Sequence, residues 1–190
     1  MKLEHSFEVP APVEVTWPLL LDVERVAPCL PGAEVTERVD ERTYRANMRM
    51  RLGPMQMSYE GELAIEDVDD ANRTAVLRAA AGEARGQGSA NAAIALAVGE
   101  TPAGSRVSIT TDLELTGRAA QTGRGLVERV ADQMLGQFSE CLRTKLAAGT
   151  LEPATGSEPA AAKPARIGLL RALLQALFGR LRRGRGDETR

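Results

Sequence analysis

The feature that most constrains the fold is an alternation of apolar and polar residues that recurs through the middle of the chain and then gives way to helical spacing. Tyr44, Ala46, Met48 and Met50 alternate with Arg45, Asn47, Arg49 and Arg51. After Gly53-Pro54, the residues Met55, Met57, Tyr59, Gly61, Leu63 and Ile65 alternate with mostly polar neighbours. Period-2 alternation marks strands with one buried face, and the tight turn between these two marks an antiparallel hairpin. Three further strands are expected around 73–85, 89–98 and 105–116, separated by Gly86-Gln87-Gly88 and by residues 100–104. Val127, Val130, Met134, Phe138, Cys141 and Leu142 then recur at helical spacing, which predicts one long helix over 119–147. A strand meander closed by a long helix is an α+β fold.

The N-terminal third adds a strand and a helix to this frame. Leu3, His5, Phe7 and Val9 alternate with Lys2, Glu4, Ser6 and Glu8, giving a first half-buried strand. Beyond Pro10-Ala11-Pro12, a short helix is predicted over Val13–Leu21, with Trp17 among its apolar residues. Pro18 falls inside it and predicts a kink, because an interior proline removes a hydrogen bond at a cost of about 3 kcal/mol. A second helical piece over 22–27 leads into Pro28, Cys29, Leu30, Pro31 and Gly32, where two prolines and a glycine exclude regular structure. That stretch is a rigid connector that could also rim a cavity or dock on a partner. The two cysteines, Cys29 and Cys141, are far apart and in no CxxC spacing, and Cys29 reads as a small apolar plug rather than a reactive thiol. MKLEHSFEVP holds no apolar run resembling a signal peptide, so the expected compartment is the cytoplasm.

Charge divides the chain unevenly. Residues 1–151 carry 16 Lys and Arg against 22 Asp and Glu, whereas residues 152–190 carry 8 against 4. An anionic partner is therefore expected to engage the tail first. Residues 149–165 hold Pro153, Pro159 and Pro164 among small residues and predict a flexible linker between a domain (1–148) and a terminal helix (166–190). On a helical wheel Ile167, Leu169, Leu170, Leu173, Leu174, Leu177, Phe178 and Leu181 take one half, and Arg171, Gln175, Arg182 and Arg183 the other. Six arginines (Arg166, Arg171, Arg180, Arg182, Arg183 and Arg185) and no acidic residue lie between Arg166 and Gly186. A span from Ile167 to Arg182 would be only about 24 Å long, short of the roughly 20 apolar residues a bilayer crossing needs. The helix is expected to lie on an anionic membrane surface, at the inner face of the cell membrane; docking on the domain or on a partner protein is the alternative. Nucleic acid is not expected, since one whole apolar face would stay unburied on it.

Three segments, LLDVERVAPCLPGAEV (20–35), LGPMQMSYEG (52–61) and GRAAQTGRGLVERVADQMLGQF (117–138), resemble the G-subunit family of aerobic carbon monoxide dehydrogenase, within the START-like (SRPBCC) superfamily. The resemblance covers roughly residues 1–148. It implies a helix-grip fold, in which a curved antiparallel sheet wraps a long C-terminal helix around an apolar cavity. It also implies an accessory role beside a molybdenum CO dehydrogenase or a related hydroxylase, bringing that enzyme to the membrane. Pro18 departs from the helix expected there, so the resemblance does not fix the shape of the adjoining cavity wall.

Within such a fold the expected cavity lining is Trp17, Tyr44, Met48, Met50, Met55, Met57 and Tyr59, facing Val130, Met134 and Phe138. Methionine conforms to irregular apolar or aromatic guests, although the same side chains can equally fill a core short of large aromatics. Alanines at 79–81, 90, 92, 93, 95 and 97 leave volume for a guest or permit close helix packing. The expected guest is an apolar lipid such as a respiratory quinone (menaquinone or ubiquinone), with no covalently bound cofactor. A pure recruitment adapter and a START-like enzyme on an apolar substrate are the alternatives. Catalysis is not expected: the sole histidine, His5, faces inward as a core residue, and no metal-ligand cluster or Ser/His/Asp order accompanies it.

Overall fold

The computed structural model describes residues 1–148; the linker and tail helix expected from sequence, with every membrane-binding residue assigned to them, lie outside the described residues. Seven strands form one antiparallel sheet: β1 (Lys2–Val9), β2 (Ala33–Arg38), β3 (Thr43–Leu52), β4 (Met55–Asp69), β5 (Thr74–Glu83), β6 (Ser89–Thr101) and β7 (Gly104–Leu115). Their order is β1-β7-β6-β5-β4-β3-β2. The meander from β2 to β7 is thus completed by the first strand, which pairs with the last through Lys2↔Asp112 to Val9↔Ser105. The curved sheet and C-terminal helices give an α+β architecture of the helix-grip kind. β2 carries no alternation strong enough to mark it beforehand, because it is an edge strand with four of its last five residues exposed.

Helix α1 (Val13–Leu21) runs unbroken through Pro18. Pro18 is exposed and so is Glu14, whose carbonyl loses its partner, so water can take that hydrogen bond. α1 packs on β6 and β7 within the main core and has no part in the pocket described below, so the proline does not shape that wall. α2 (Val23–Val26) follows, capped by the Asp22 carboxylate, which accepts from the Arg25 N–H at 3.2 Å.

The single helix expected over 119–147 is two: α3 (Gly117–Ala120) and α4 (Arg124–Ala147). The Thr122 hydroxyl donates to the Ala119 carbonyl at 2.8 Å, and Gly123 then takes a left-handed φ of 83°. That conformation breaks the helix and is open to glycine at little cost.

Two apolar clusters hold the domain together. The larger gathers Val9, Trp17, Leu19, Val98, Val107, Phe138 and Leu142 between the sheet, α1 and the second half of α4. Burying each large aliphatic side chain of this kind contributes about 1.5–3 kcal/mol. The smaller cluster joins Leu52, Met57, Tyr59 and Ala119 at the β3–β4 turn. Cross-strand ion pairs such as Arg45–Glu37, Arg78–Glu66 and Arg106–Glu8 lie on exposed side chains, where each is worth about 0–1 kcal/mol.

Cys29 is not a free apolar plug. It is disulfide-bonded to Cys141, the chain bringing two Cα atoms 112 residues apart in sequence to 5.4 Å. Sequence spacing gives no hint of this, since the pairing exists only once α4 lies across the connector after α2. The same connector is fixed on its other side by Gly32. The Arg49 N–H donates to the Gly32 carbonyl at 2.9 Å, and a Cβ added there would fall 1.9 Å from the Arg49 carbonyl oxygen.

Among the described residues no helix is long and apolar enough to cross a membrane.

Candidate functional site

A pocket of about 250 Å³ lies between the sheet and α4, bounded by members of both apolar clusters. The β3–β4 hairpin supplies Met48, Met50, Leu52 and Tyr59, because alternation puts these side chains on the concave face. β1 and β7 supply the opposite wall through Leu3, His5, Thr111 and Leu113. α4 closes it with Val127, Val130, Ala131, Met134 and Leu135, spaced so that they recur on one face of the helix. Leu30, next to the disulfide, completes the rim.

A second, more open recess of about 270 Å³ lies outside the first, walled by Pro31, Gly32, Arg49, Arg51, Gln56 and the outer side of α4. Met50, Val130 and Met134 line both spaces and form the partition between them. Two of the three are methionines, whose three side-chain torsions let them shift at low cost.

Met48, Met50, Tyr59, Val130 and Met134 therefore reach the pocket, and five other residues expected there do not. Trp17 is buried in the main core, its indole N–H donating to Asp70 at 2.7 Å. Tyr44 shares the inward face of β3 but sits at the far end of the strand, in the main core beneath the Arg38 guanidinium, 5.7 Å from the ring centre. Phe138 stacks edge-on against Phe7 with ring centres 6.1 Å apart. Met57 is 2 % exposed, consumed by packing in the smaller cluster, and Met55 packs on the outside of that cluster. Of the connector residues, Leu30 lines the pocket, Pro31 and Gly32 line the outer recess, and Pro28 and Cys29 line neither.

The polar side chains in the lining are His5, Tyr59 and Thr111. His5 is the residue whose position most changes its reading. Its Nε2 lies 2.8 Å from the Asp132 carboxylate on α4, while its Nδ1 is buried with no partner. The Tyr59 hydroxyl is likewise buried without a partner. Burial, and secondarily the charge of the neighbouring Glu83, push the Tyr59 phenol above its ordinary value, so it stays a hydrogen-bond donor. Glu83 itself is satisfied, accepting from the Arg85 and Gln87 N–H groups at 2.8 and 3.1 Å. Alternation on β1 placed His5 inward, but nothing in the sequence placed Asp132 beside it. Among the described residues no cluster of three His, Cys, Asp or Glu is arranged to hold a metal.

The family model for the carbon monoxide dehydrogenase G subunit (CoxG) matches residues 6–147, which include the sheet, the pocket and α4. The chain belongs to the CoxG family. No curated protein matches its sequence closely enough to extend that assignment. Solved structures support the fold of this CoxG domain. A conserved protein from Geobacillus kaustophilus superposes with a TM-score of 0.70 at 19% identity, covering 78% of this chain and 97% of its own. The Zhui aromatase/cyclase from Streptomyces sp. R1128 gives 0.56 at 15% identity, covering 82% and 98%. The protein Ara h 8.0201 gives 0.54 at 13% identity, covering 78% and 98%. At these identities the likeness is one of fold.

Proposed function

We propose that this CoxG protein is a non-catalytic, membrane-anchored accessory of a molybdenum CO dehydrogenase or a related hydroxylase, and that its pocket carries an apolar lipid, menaquinone or ubiquinone, between the bilayer and that enzyme. The observation that carries the reading is the pocket itself: a nearly wholly apolar space beneath α4, partitioned by movable methionines from an outer recess. Its volume suits a ring-sized headgroup rather than an entire long-chain lipid, since pockets that enclose drug-sized ligands run about 300–1,000 Å³. The headgroup occupies the inner space and the isoprenoid chain leaves it past Met50 and Met134. CO oxidation releases electrons that must reach the respiratory chain, and a soluble enzyme cannot reach a quinone buried in lipid.

Membrane attachment is assigned to the tail. Six arginines each contribute about 1 kcal/mol near an anionic leaflet, and burial of the leucine-rich face adds to that. The chain is expected to act on the cytoplasmic face. Replacing both Leu173 and Leu177 with Asp should release the full chain from anionic vesicles in a flotation assay; retained binding would count against the tail as anchor. The carrier role is tested by adding the full chain to purified dehydrogenase, CO and quinone-loaded vesicles, where quinone reduction should accelerate. An unchanged rate sinks the carrier. If the dehydrogenase still floats with the vesicles in that case, the protein is an adapter that carries no lipid.

A further inference from the structure

Two residues that line the pocket each carry a buried polar atom with no partner among the described residues: Nδ1 of His5 and Oη of Tyr59. Such groups are uncommon because leaving one unmade forfeits its hydration without return, and two behind the lining of a single apolar pocket point to a guest that displaces the side chains covering them and supplies the partners. The third such atom, Oγ1 of Thr101, does not line this space.

The two atoms differ in what they accept. A tyrosine hydroxyl both donates and accepts, so Tyr59 can bond a carbonyl or a hydroxyl oxygen. His5 is constrained through its other nitrogen, which lies 2.8 Å from the Asp132 carboxylate. A carboxylate only accepts, so Nε2 carries a hydrogen, and in the neutral form of the ring Nδ1 then presents a bare lone pair. A lone pair accepts from a hydroxyl and repels a carbonyl oxygen.

Resting on the carrier reading above, we infer that His5, held in this tautomer by Asp132, makes the pocket a hydroxyl-recognising site that binds the reduced hydroquinone form of its guest more tightly than the quinone form, while Tyr59 bonds an oxygen of either. Asp132 is a positioning residue: its side chain is 68% exposed and acts only through the imidazole. A preference of this kind draws the reduced guest off the enzyme that made it.

The test is calorimetric titration of the full chain at pH 8 with 2,3-dimethyl-1,4-naphthoquinone and, anaerobically, with its isolated hydroquinone. The hydroquinone should bind about tenfold more tightly, the scale of one buried hydrogen bond made against one left unmade. Asp132→Ala removes the acceptor that holds the hydrogen on Nε2 and frees the ring to place it on Nδ1, where it can donate to a carbonyl oxygen. The affinity ratio should then fall toward one with the melting temperature unchanged, a shift that a merely structural role would not produce. Tyr59→Phe should weaken both forms by a similar factor and leave the ratio intact. His5→Phe should abolish the ratio, and because a β1 variant can disturb folding, the exposed Asp132→Ala carries the decision. Equal affinities in the wild type, or a ratio that Asp132→Ala does not move, overturn the hydroxyl preference and leave the carrier reading standing. Binding of neither form overturns both.

Discussion

Replacing Ala131 with Trp should abolish quinone transfer while leaving the protein folded, bound to membranes and able to recruit its enzyme. Ala131 is on the face of α4 that closes the pocket, where an indole takes up much of a space of about 250 Å³. The substitution fills an existing void, so it avoids much of the roughly 1–3 kcal/mol that overpacking a dense core costs, and the loss of helix propensity is under about 1 kcal/mol. Transfer should fall at least tenfold, read as CO-driven reduction of vesicle quinone by the dehydrogenase, with flotation of both proteins unchanged. Met57→Trp, which alternation alone would suggest for the same purpose, is a poor probe. Met57 is fully packed, and enlarging it would unfold the smaller cluster instead of plugging the pocket. Transfer by Ala131→Trp at the wild-type rate would show that no guest sits beneath α4.

Removing the Cys29–Cys141 bond should produce a large loss of stability. A bridge across 112 residues of sequence restricts the unfolded chain strongly, and losing a native disulfide typically costs about 2–5 kcal/mol. For a domain near 150 residues this corresponds to a fall in Tm on the order of 10 °C. The Cys29→Ala, Cys141→Ala double variant, and the wild type in reductant, should melt at the same lowered temperature. Wild-type melting that reductant leaves unmoved would mean that the bond contributes little. The bond also ties the connector that carries Leu30 to the helix that carries Val130 and Met134, so its loss should loosen the pocket rim and speed guest release. Disulfides are scarce in reducing compartments. Alkylation of the thiols in intact cells therefore measures directly how much of the protein carries this bond in place.

The strands were legible because each buries one face and exposes the other, which writes the fold into the residue order. β2 was the exception, a polar edge whose partner β3 does most of the burying. What alternation conveys is the face a side chain takes and not how far along the strand the empty space lies. That is why Tyr44 and Met48, on the same face of the same strand, part company, one in the core and one in the pocket. The α4 stripe was legible for the same reason and misled at Phe138, which the Phe7 ring claims. The break at Gly123 was missed because a helical stripe reads through a single turn. Pairings between distant segments were illegible altogether: Cys29 with Cys141 and His5 with Asp132 are joined only by the closure of β1 on β7 and the path of α4 across the sheet.

A native mass spectrum of the full chain, recovered after incubation with vesicles containing menaquinone or ubiquinone, addresses the central claim most directly. The wild type should carry one quinone per chain and Ala131→Trp none. A wild-type spectrum showing only the empty chain, with vesicle binding intact, would contradict the account.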